Sequence, residues 1–150
     1  MQTIYFIVLL MFEQCLYFNT IKFSRLINTI WEEAFRPLGL SPSHAYAMQF
    51  ILEQPGISPK NLAKEMTLNV STVTRFIDNL EAKKLVKRRK ENKDKRECSI
   101  YPTNTGKKLH TKLQLISKTL YKNVREQLGA DEVNNMVTLI KDFTNKIDSE

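Results

Sequence analysis

The sequence has few of the residues on which small catalytic or disulfide-bonded proteins depend. Among 150 residues there are only two cysteines, four glycines and two histidines. Two thiols do not make the disulfide framework of a small secreted domain, so a reducing cytoplasm is the simpler expectation. The glycines form no phosphate-cradling loop, and His44 and His110 have no cysteine or carboxylate at metal-ligand spacing. We therefore expect no metal, no cofactor and no enzyme activity.

The sequence also lacks an apolar run long enough to span a bilayer. The run IYFIVLLMF at residues 4–12 is nine residues long, whereas a transmembrane helix needs about 20. A secretory signal would start with positive charge, but the first basic residue is Lys22. We expect residues 1–12 to be an apolar extension. Either it lengthens the first helix and packs on a partner, or it results from a start codon upstream of Met11. A membrane anchor is the remaining alternative.

Positive charge, by contrast, is abundant and concentrated. The net charge is +7, and nine of the 23 lysines and arginines lie within residues 83–96, where only Glu91 and Asp94 oppose them. A basic balance favours an anionic partner, either nucleic acid or an anionic membrane surface. A solvated loop kept soluble by its charge is the competing explanation for this cluster. Its basic members are Lys83, Lys84, Lys87, Arg88, Arg89, Lys90, Lys93, Lys95 and Arg96.

Before this cluster the sequence predicts four helices. Apolar residues at helical spacing predict a first helix that stops near Arg36, because Pro37 disfavours a helical residue before it. Ser41-Pro42 and Ser58-Pro59 start the next two, since serine caps free amides and proline fits the first turn. Residues 67–69 connect the third helix to a fourth, for which Asn69 is a suitable cap. The fourth helix turns four apolar residues inward: Val70, Val73, Ile77 and Leu80.

The third and fourth helices make a helix-turn-helix pattern, and the basic cluster follows it directly. Residues 85–88 and 98–101 look like two short strands, so residues 85–102 predict a β-hairpin with a charged tip. A helix of this kind reads the major groove of DNA with its N-terminal residues, and arginine can contact guanine with two hydrogen bonds. This position favours nucleic-acid binding over the solvated loop. The polar residues of the helix that do not face inward are Ser71, Thr72, Thr74, Arg75, Asp78 and Asn79.

Two further helices end the sequence. Thr103 caps a long helix, Gly129 ends it, and a last helix follows. Their apolar stripes and that of the first helix are too extensive to be buried in one small lobe, so we expect a homodimer. The stripe of the last helix contains Val133, Met136, Val137, Ile140, Phe143 and Ile147.

Four stretches resemble regulators of the MarR family. They are FRPLGLSPSHA (35–45), QPGISPKNLAKEM (54–66), STVTRFIDNLEAKKLVKRR (71–89) and DKRECSIYPTNTGKKL (94–109). The resemblance implies a fold that is mainly α with a small β-hairpin wing. Residues 13–150 would form one MarR-like unit, with a winged helix-turn-helix lobe at about 41–102 and dimerisation helices at about 13–36 and 103–149. It also implies a cytoplasmic dimeric repressor on a pseudo-palindromic promoter site in double-stranded DNA.

The same resemblance assigns roles to single residues. Ser71, Thr72, Thr74 and Arg75 would contact the major groove, Arg96 would enter the minor groove, and Asp94 would brace the wing. The other expected DNA contacts are Lys87, Arg88, Arg89, Lys93 and Lys95. The chain departs from the family pattern in two places. Thr67 occupies a turn position often held by glycine, and Pro102 stands where an apolar residue is usual, which would shorten the second wing strand.

The resemblance leaves two alternatives for the signal that such a regulator would sense, a small ligand or an oxidant. Family members bind small phenolic or lipophilic anions, or sense oxidants through a cysteine near the start of the first helix. Cys15 resembles the second group, although a buried thiol acting as a small apolar residue is the commoner case. Tyr17, Phe18 and Trp31 could line a ligand pocket or simply pack. An alternative function is a peripheral membrane or protein-interaction module that uses the apolar N-terminus and the basic surface.

Overall fold

The computed structural model describes residues 12–90 and 98–148. The chain divides into two compact units, residues 1–108 and residues 109–150. The apolar run before Phe12 lies outside the described residues. So do four of the expected site residues: Lys93, Asp94, Lys95 and Arg96.

After a helical stretch at residues 12–14, the described residues of the first unit form five α-helices, one 3-10 turn and a two-stranded sheet. The helix α1 (Leu16–Phe35) continues into a 3-10 turn (Arg36–Leu38). The next helices are α2 (Pro42–Glu53), α3 (Pro59–Glu65) and α4 (Val70–Ala82). Strands β1 (Val86–Lys90) and β2 (Cys98–Pro102) pair antiparallel, and the short helix α5 (Asn104–Lys107) follows. The predicted fold class, mainly α with a small β-hairpin wing, is confirmed.

The helix starts agree with the serine-proline signals. Ser41 and Ser58 are the N-cap residues of α2 and α3, and the side chain of each accepts a hydrogen bond from a backbone N–H three residues on. Asn69 is at the N-cap of α4, as expected, but its side chain makes no capping bond. Thr103 caps the short α5 rather than a long helix, because the chain turns again before the next helix begins.

The helix-turn-helix lies on the core of this unit. Val73, Ile77 and Leu80 of α4 are fully buried. Val70 is 47% exposed, so the expectation that it faces inward was wrong; it is the first residue of α4. In the connection, Thr67 adopts a left-handed backbone with φ of 53°. That conformation suits glycine better than a β-branched residue, which explains why glycine is usual there.

The wing is anchored to the rest of the unit at its second strand. Ile100 pairs with Arg88 of β1 on one side and forms an isolated bridge with Ile57 on the other. Pro102 pairs with Val86 and is the last residue of β2, so the strand extends one residue further than expected. Proline is tolerated there because a strand end needs no further N–H donor.

The second unit consists of α6 (His110–Leu128) and α7 (Ala130–Asp148). Gly129 separates them with a positive φ of 88°. Leu113 and Leu120 of α6 are buried, whereas α7 has no buried residue. Among the described residues, none of the helices is long and apolar enough to cross a membrane. The stripe expected on α7 is thus solvent-exposed in the single chain: Met136, Val137, Ile140, Phe143 and Ile147 are all more than 40% exposed.

Candidate nucleic-acid interface

The expected reading residues of α4 lie outside its buried face, with Ser71 and Arg75 on the opposite side and Thr72 and Thr74 at the flanks. Ser71 and Arg75 are exposed, while Thr72 and Thr74 are half-buried. Because residues four apart are neighbours on a helix surface, Ser71 and Arg75 lie on one face. The hydroxyl of Thr74 donates to the carbonyl of Val70 at 2.8 Å, so its proton is engaged within the helix. Ser71 and Arg75 therefore provide the most accessible hydrogen-bonding groups of the four.

Arg88 of β1 connects the wing to α4. Its guanidinium forms ion pairs with Asp78 and Glu81, and its backbone N–H donates to Glu81 Oε1 at 3.3 Å. Partial burial acts to lower the pKa of Arg88, but the hydrogen bond to Asp78 and the charges of Glu81 and Asp78 outweigh it and raise the pKa. This expected DNA-contact residue is thus already paired with two carboxylates of α4.

Lys87 and Arg89 have a different environment from Arg88. Alternate residues of a strand point to opposite faces, so Lys87 and Arg89 lie on the face of β1 away from Arg88. Both are exposed, and the guanidinium carbon of Arg89 lies 5.2 Å from the centre of the Tyr101 ring. The three consecutive basic residues therefore differ in role. Arg88 holds the wing against α4 and is called the brace below, whereas Lys87 and Arg89 belong to the outer surface of the wing.

His44 makes a contact with α4 that the sequence did not reveal. Its ring lies 4.8 Å from the ring of Phe76 of α4, and its Nδ1 is 2.6 Å from the hydroxyl of Ser41. Burial lowers the pKa of His44 below its ordinary value of 6.5, and the positive charge of Lys83 lowers it further. The sequence spacing showed only that His44 has no metal-ligand partner near it in sequence. Phe76 belongs to another helix, so only the folded chain brings the two rings together.

The residues expected to serve as a signal input do not converge on one site. Tyr17 and Phe18 line an open groove of about 420 Å³ whose walls all come from α1. Trp31 is not part of it; its indole N–H donates to the hydroxyl of Tyr46 at 3.0 Å. Cys15 is a half-buried free thiol at the N-cap of α1. Within the described ranges, no group of three histidine, cysteine or acidic residues could hold a metal ion.

Comparison with known proteins connects this geometry to one family. The MarR family model matches residues 40–98. The multiple antibiotic resistance protein MarR of Escherichia coli (strain K12) is 30% identical over 134 residues, covering 84% of this chain and 93% of that protein. The HTH-type transcriptional regulator SarZ of Staphylococcus aureus (strain MRSA252) is 34% identical over 89 residues, covering 57% of this chain. The match spans only 60% of SarZ.

Solved structures have the same architecture. The S. aureus MepR–DNA complex superposes with a TM-score of 0.79 at 19% identity, covering 88% of this chain and 98% of MepR. A mutant of E. coli MarR complexed with operator DNA gives a TM-score of 0.71 at 25% identity, covering 87% and 99%.

The fold, in which α3 and α4 are followed by a β-hairpin, defines a class of protein, the winged helix-turn-helix proteins. This chain belongs to the MarR family. The family and the class predicted from the sequence are both confirmed, and the alternative of a membrane or protein-interaction module is not favoured.

The Arg88 brace yields a prediction about stability. Replacing Arg88 with methionine keeps much of the side-chain length but leaves Asp78 and Glu81 without their cation. The loss should be about 1 kcal/mol, because the group lies between the buried and the exposed extremes. Urea unfolding measures it. Lys87→Met, on the opposite face of the same strand, is the control and should change the midpoint little; equal midpoints for both variants would contradict the brace.

A second prediction concerns pH and His44. Above its ordinary pKa the ring is neutral in both the folded and the unfolded chain, and its titration has no effect on stability. As the pH falls through 6.5, the unfolded chain takes up a proton that the folded chain resists, so stability is lost until the pH passes the lowered folded-state pKa. The loss is at most about 1.4 kcal/mol per pH unit.

Thermal unfolding at about pH 7.5 and about pH 5.5 tests the role of this histidine. The wild-type chain should lose more stability between the two values than His44→Gln, which cannot take up the proton. If the two proteins lost the same amount, the burial of His44 and the charge of Lys83 would not resist its protonation.

Proposed function

We propose that this chain is a dimeric, cytoplasmic, non-enzymatic repressor that binds a pseudo-palindromic promoter site in double-stranded DNA. The observation that carries the proposal is the exposed face of α4, with Ser71 and Arg75 accessible and the helix fixed from behind by Val73, Ile77 and Leu80. A rigid helix that presents an arginine and hydroxyls is suited to base edges in the major groove.

The roles within the interface divide between helix and wing. Arg75 would contact guanine with two hydrogen bonds, while Ser71, Thr72 and Thr74 contact bases or phosphates. Arg96 would enter the minor groove, with Lys93 and Lys95 on nearby phosphates and Asp94 bracing the wing tip. We assign Arg88 to holding the wing against α4 rather than to touching DNA, because Asp78 and Glu81 already occupy its guanidinium.

The dimer is supported by apolar surface that the single chain leaves exposed. On α1, Leu16 and Leu26 are 70% and 59% exposed, and α7 buries none of its residues. Large exposed apolar faces mark protein interfaces in soluble proteins. A second copy of the chain is the partner we propose, because it brings two recognition helices to the two half-sites of a palindrome.

The input signal stays a prediction from the sequence. A small phenolic or lipophilic anion could bind, or an oxidant could act at Cys15. The half-buried position of Cys15 at the start of α1 is compatible with either a sensor or a packing residue.

Base reading by Arg75 has a direct test. Arg75→Ala should lower the affinity for a selected operator by about 1–3 kcal/mol and relax preference at one base position, with little change for scrambled DNA. Arg75→Lys keeps the charge but loses the two-pronged geometry, so it should lose base preference while the salt dependence of binding remains. Fluorescence anisotropy with both duplexes measures this; identical discrimination by all three proteins would contradict the assignment.

Dimerisation through α7 has a matched pair of variants. Ile140→Asp introduces a carboxylate into the apolar stripe and should shift the molar mass from twice the 17.5 kDa of the chain to that of one chain. Asn135→Asp introduces the same charge on the other side of α7 and should leave the dimer intact. Light scattering after gel filtration measures the mass, and a wild-type protein that is monomeric at micromolar concentration would contradict the dimer.

A further inference from the structure

The outer face of the wing forms a pocket that is distinct from the reading face of α4. It has a volume of about 440 Å³ and lies entirely within the first unit. Three cationic side chains from two elements line it: Lys87 and Arg89 of β1 and Lys107 of α5. The rest of the lining is Pro55, Tyr101, Pro102, Thr103 and Asn104.

The backbone around this pocket is fixed by specific contacts. The hydroxyl of Thr103 donates to the carbonyl of Lys84 at 2.7 Å and accepts from the N–H of Gly106 at 3.0 Å, which attaches α5 to the start of the wing. Gly56 has a positive φ of 96°, and a Cβ there would lie 2.9 Å from the hydroxyl oxygen of Tyr101. A side chain at residue 56 would therefore require the Tyr101 ring to shift. Arg89 in turn lies over that ring.

The charges in the pocket are not balanced by the residues that form it. None of its lining residues is acidic, so three positive charges share one concave surface. On the opposite face of β1, Arg88 is paired with two carboxylates. Bringing like charges together is unfavourable, and an anion of more than one negative charge relieves the repulsion. Arginine matches the geometry of phosphate oxygens with parallel hydrogen bonds, and lysine binds phosphate as a point charge.

We propose that this outer wing pocket, formed by Lys87, Arg89 and Lys107, binds a phosphate group. The phosphate belongs either to the backbone of bound DNA or to a small phosphorylated molecule. Only the DNA source rests on the proposed function, since the pocket and its charges are independent of base reading by α4. Tyr101 and the two prolines line the pocket beside the cations.

The first arm of the test uses pyrophosphate and the full-length chain labelled with ¹⁵N. Titration should shift the amide signals of Lys87, Arg89 and residues 103–107 in a saturable way. Lys107→Gln should weaken this binding by about tenfold, the loss expected for one charge-assisted hydrogen bond. Lys108→Gln is the matched control, because Lys108 is the exposed neighbour in sequence and does not line the pocket; its affinity should equal that of the wild type.

The second arm identifies the source of the phosphate. Non-specific binding to a duplex of arbitrary sequence depends on neutralising phosphates, and the slope of log affinity against log salt becomes shallower by about one for each phosphate that the protein no longer neutralises. A shallower slope for Lys107→Gln than for Lys108→Gln supports the DNA backbone. Equal slopes together with weakened pyrophosphate binding support a small phosphorylated molecule.

One result would overturn the proposal. If pyrophosphate caused no saturable shifts at the pocket and the two variants had equal salt slopes, the pocket would not bind phosphate. That failure is separate from a failure of the proposed function, because base discrimination by Arg75 does not involve the outer face of the wing.

Discussion

The ion pairs of Arg88 with Asp78 and Glu81 join the wing to α4, and the geometry of the proposed DNA-binding surface depends on this junction. A two-stranded hairpin has little stability of its own, and β1 and β2 are held on one side by the Ile57 bridge and on the other by Arg88. The same contact also masks a charge. Asp78 lies one turn beyond Arg75 on the exposed side of α4, where a free carboxylate would repel DNA phosphates.

Most of the fold could be predicted from local sequence signals. The serine-proline pairs start α2 and α3 because capping and a missing N–H act within one turn, and these interactions need no tertiary context. Periodicity identified the buried residues of α4 but wrongly added Val70 to them. Spacing alone does not show that the core ends before the first residue of the helix. It also missed the short α5, whose N-cap residue Thr103 donates a hydrogen bond to the carbonyl of Lys84 before the chain enters α6.

Less of the candidate site than of the fold could be predicted from the sequence. The cluster of basic residues predicted an anionic partner, but proximity in sequence could not separate Arg88 from Lys87 and Arg89. That separation depends on strand alternation and on which carboxylates of α4 reach β1. The contact of His44 with Phe76 and the meeting of Lys107 with the wing are likewise long-range, so only the folded backbone brings them together.

The helix α7 buries no side chain of its own within a single chain. If pairing of two chains supplies its packing, then part of the free energy of folding comes from association and varies with the logarithm of protein concentration. The protein concentration would then have two effects: it would set the occupancy of DNA by mass action, and it would set the fraction of chains that are fully folded. For a regulator made in small amounts, newly synthesised chains would pass through a concentration range in which most copies are incompletely folded and inactive.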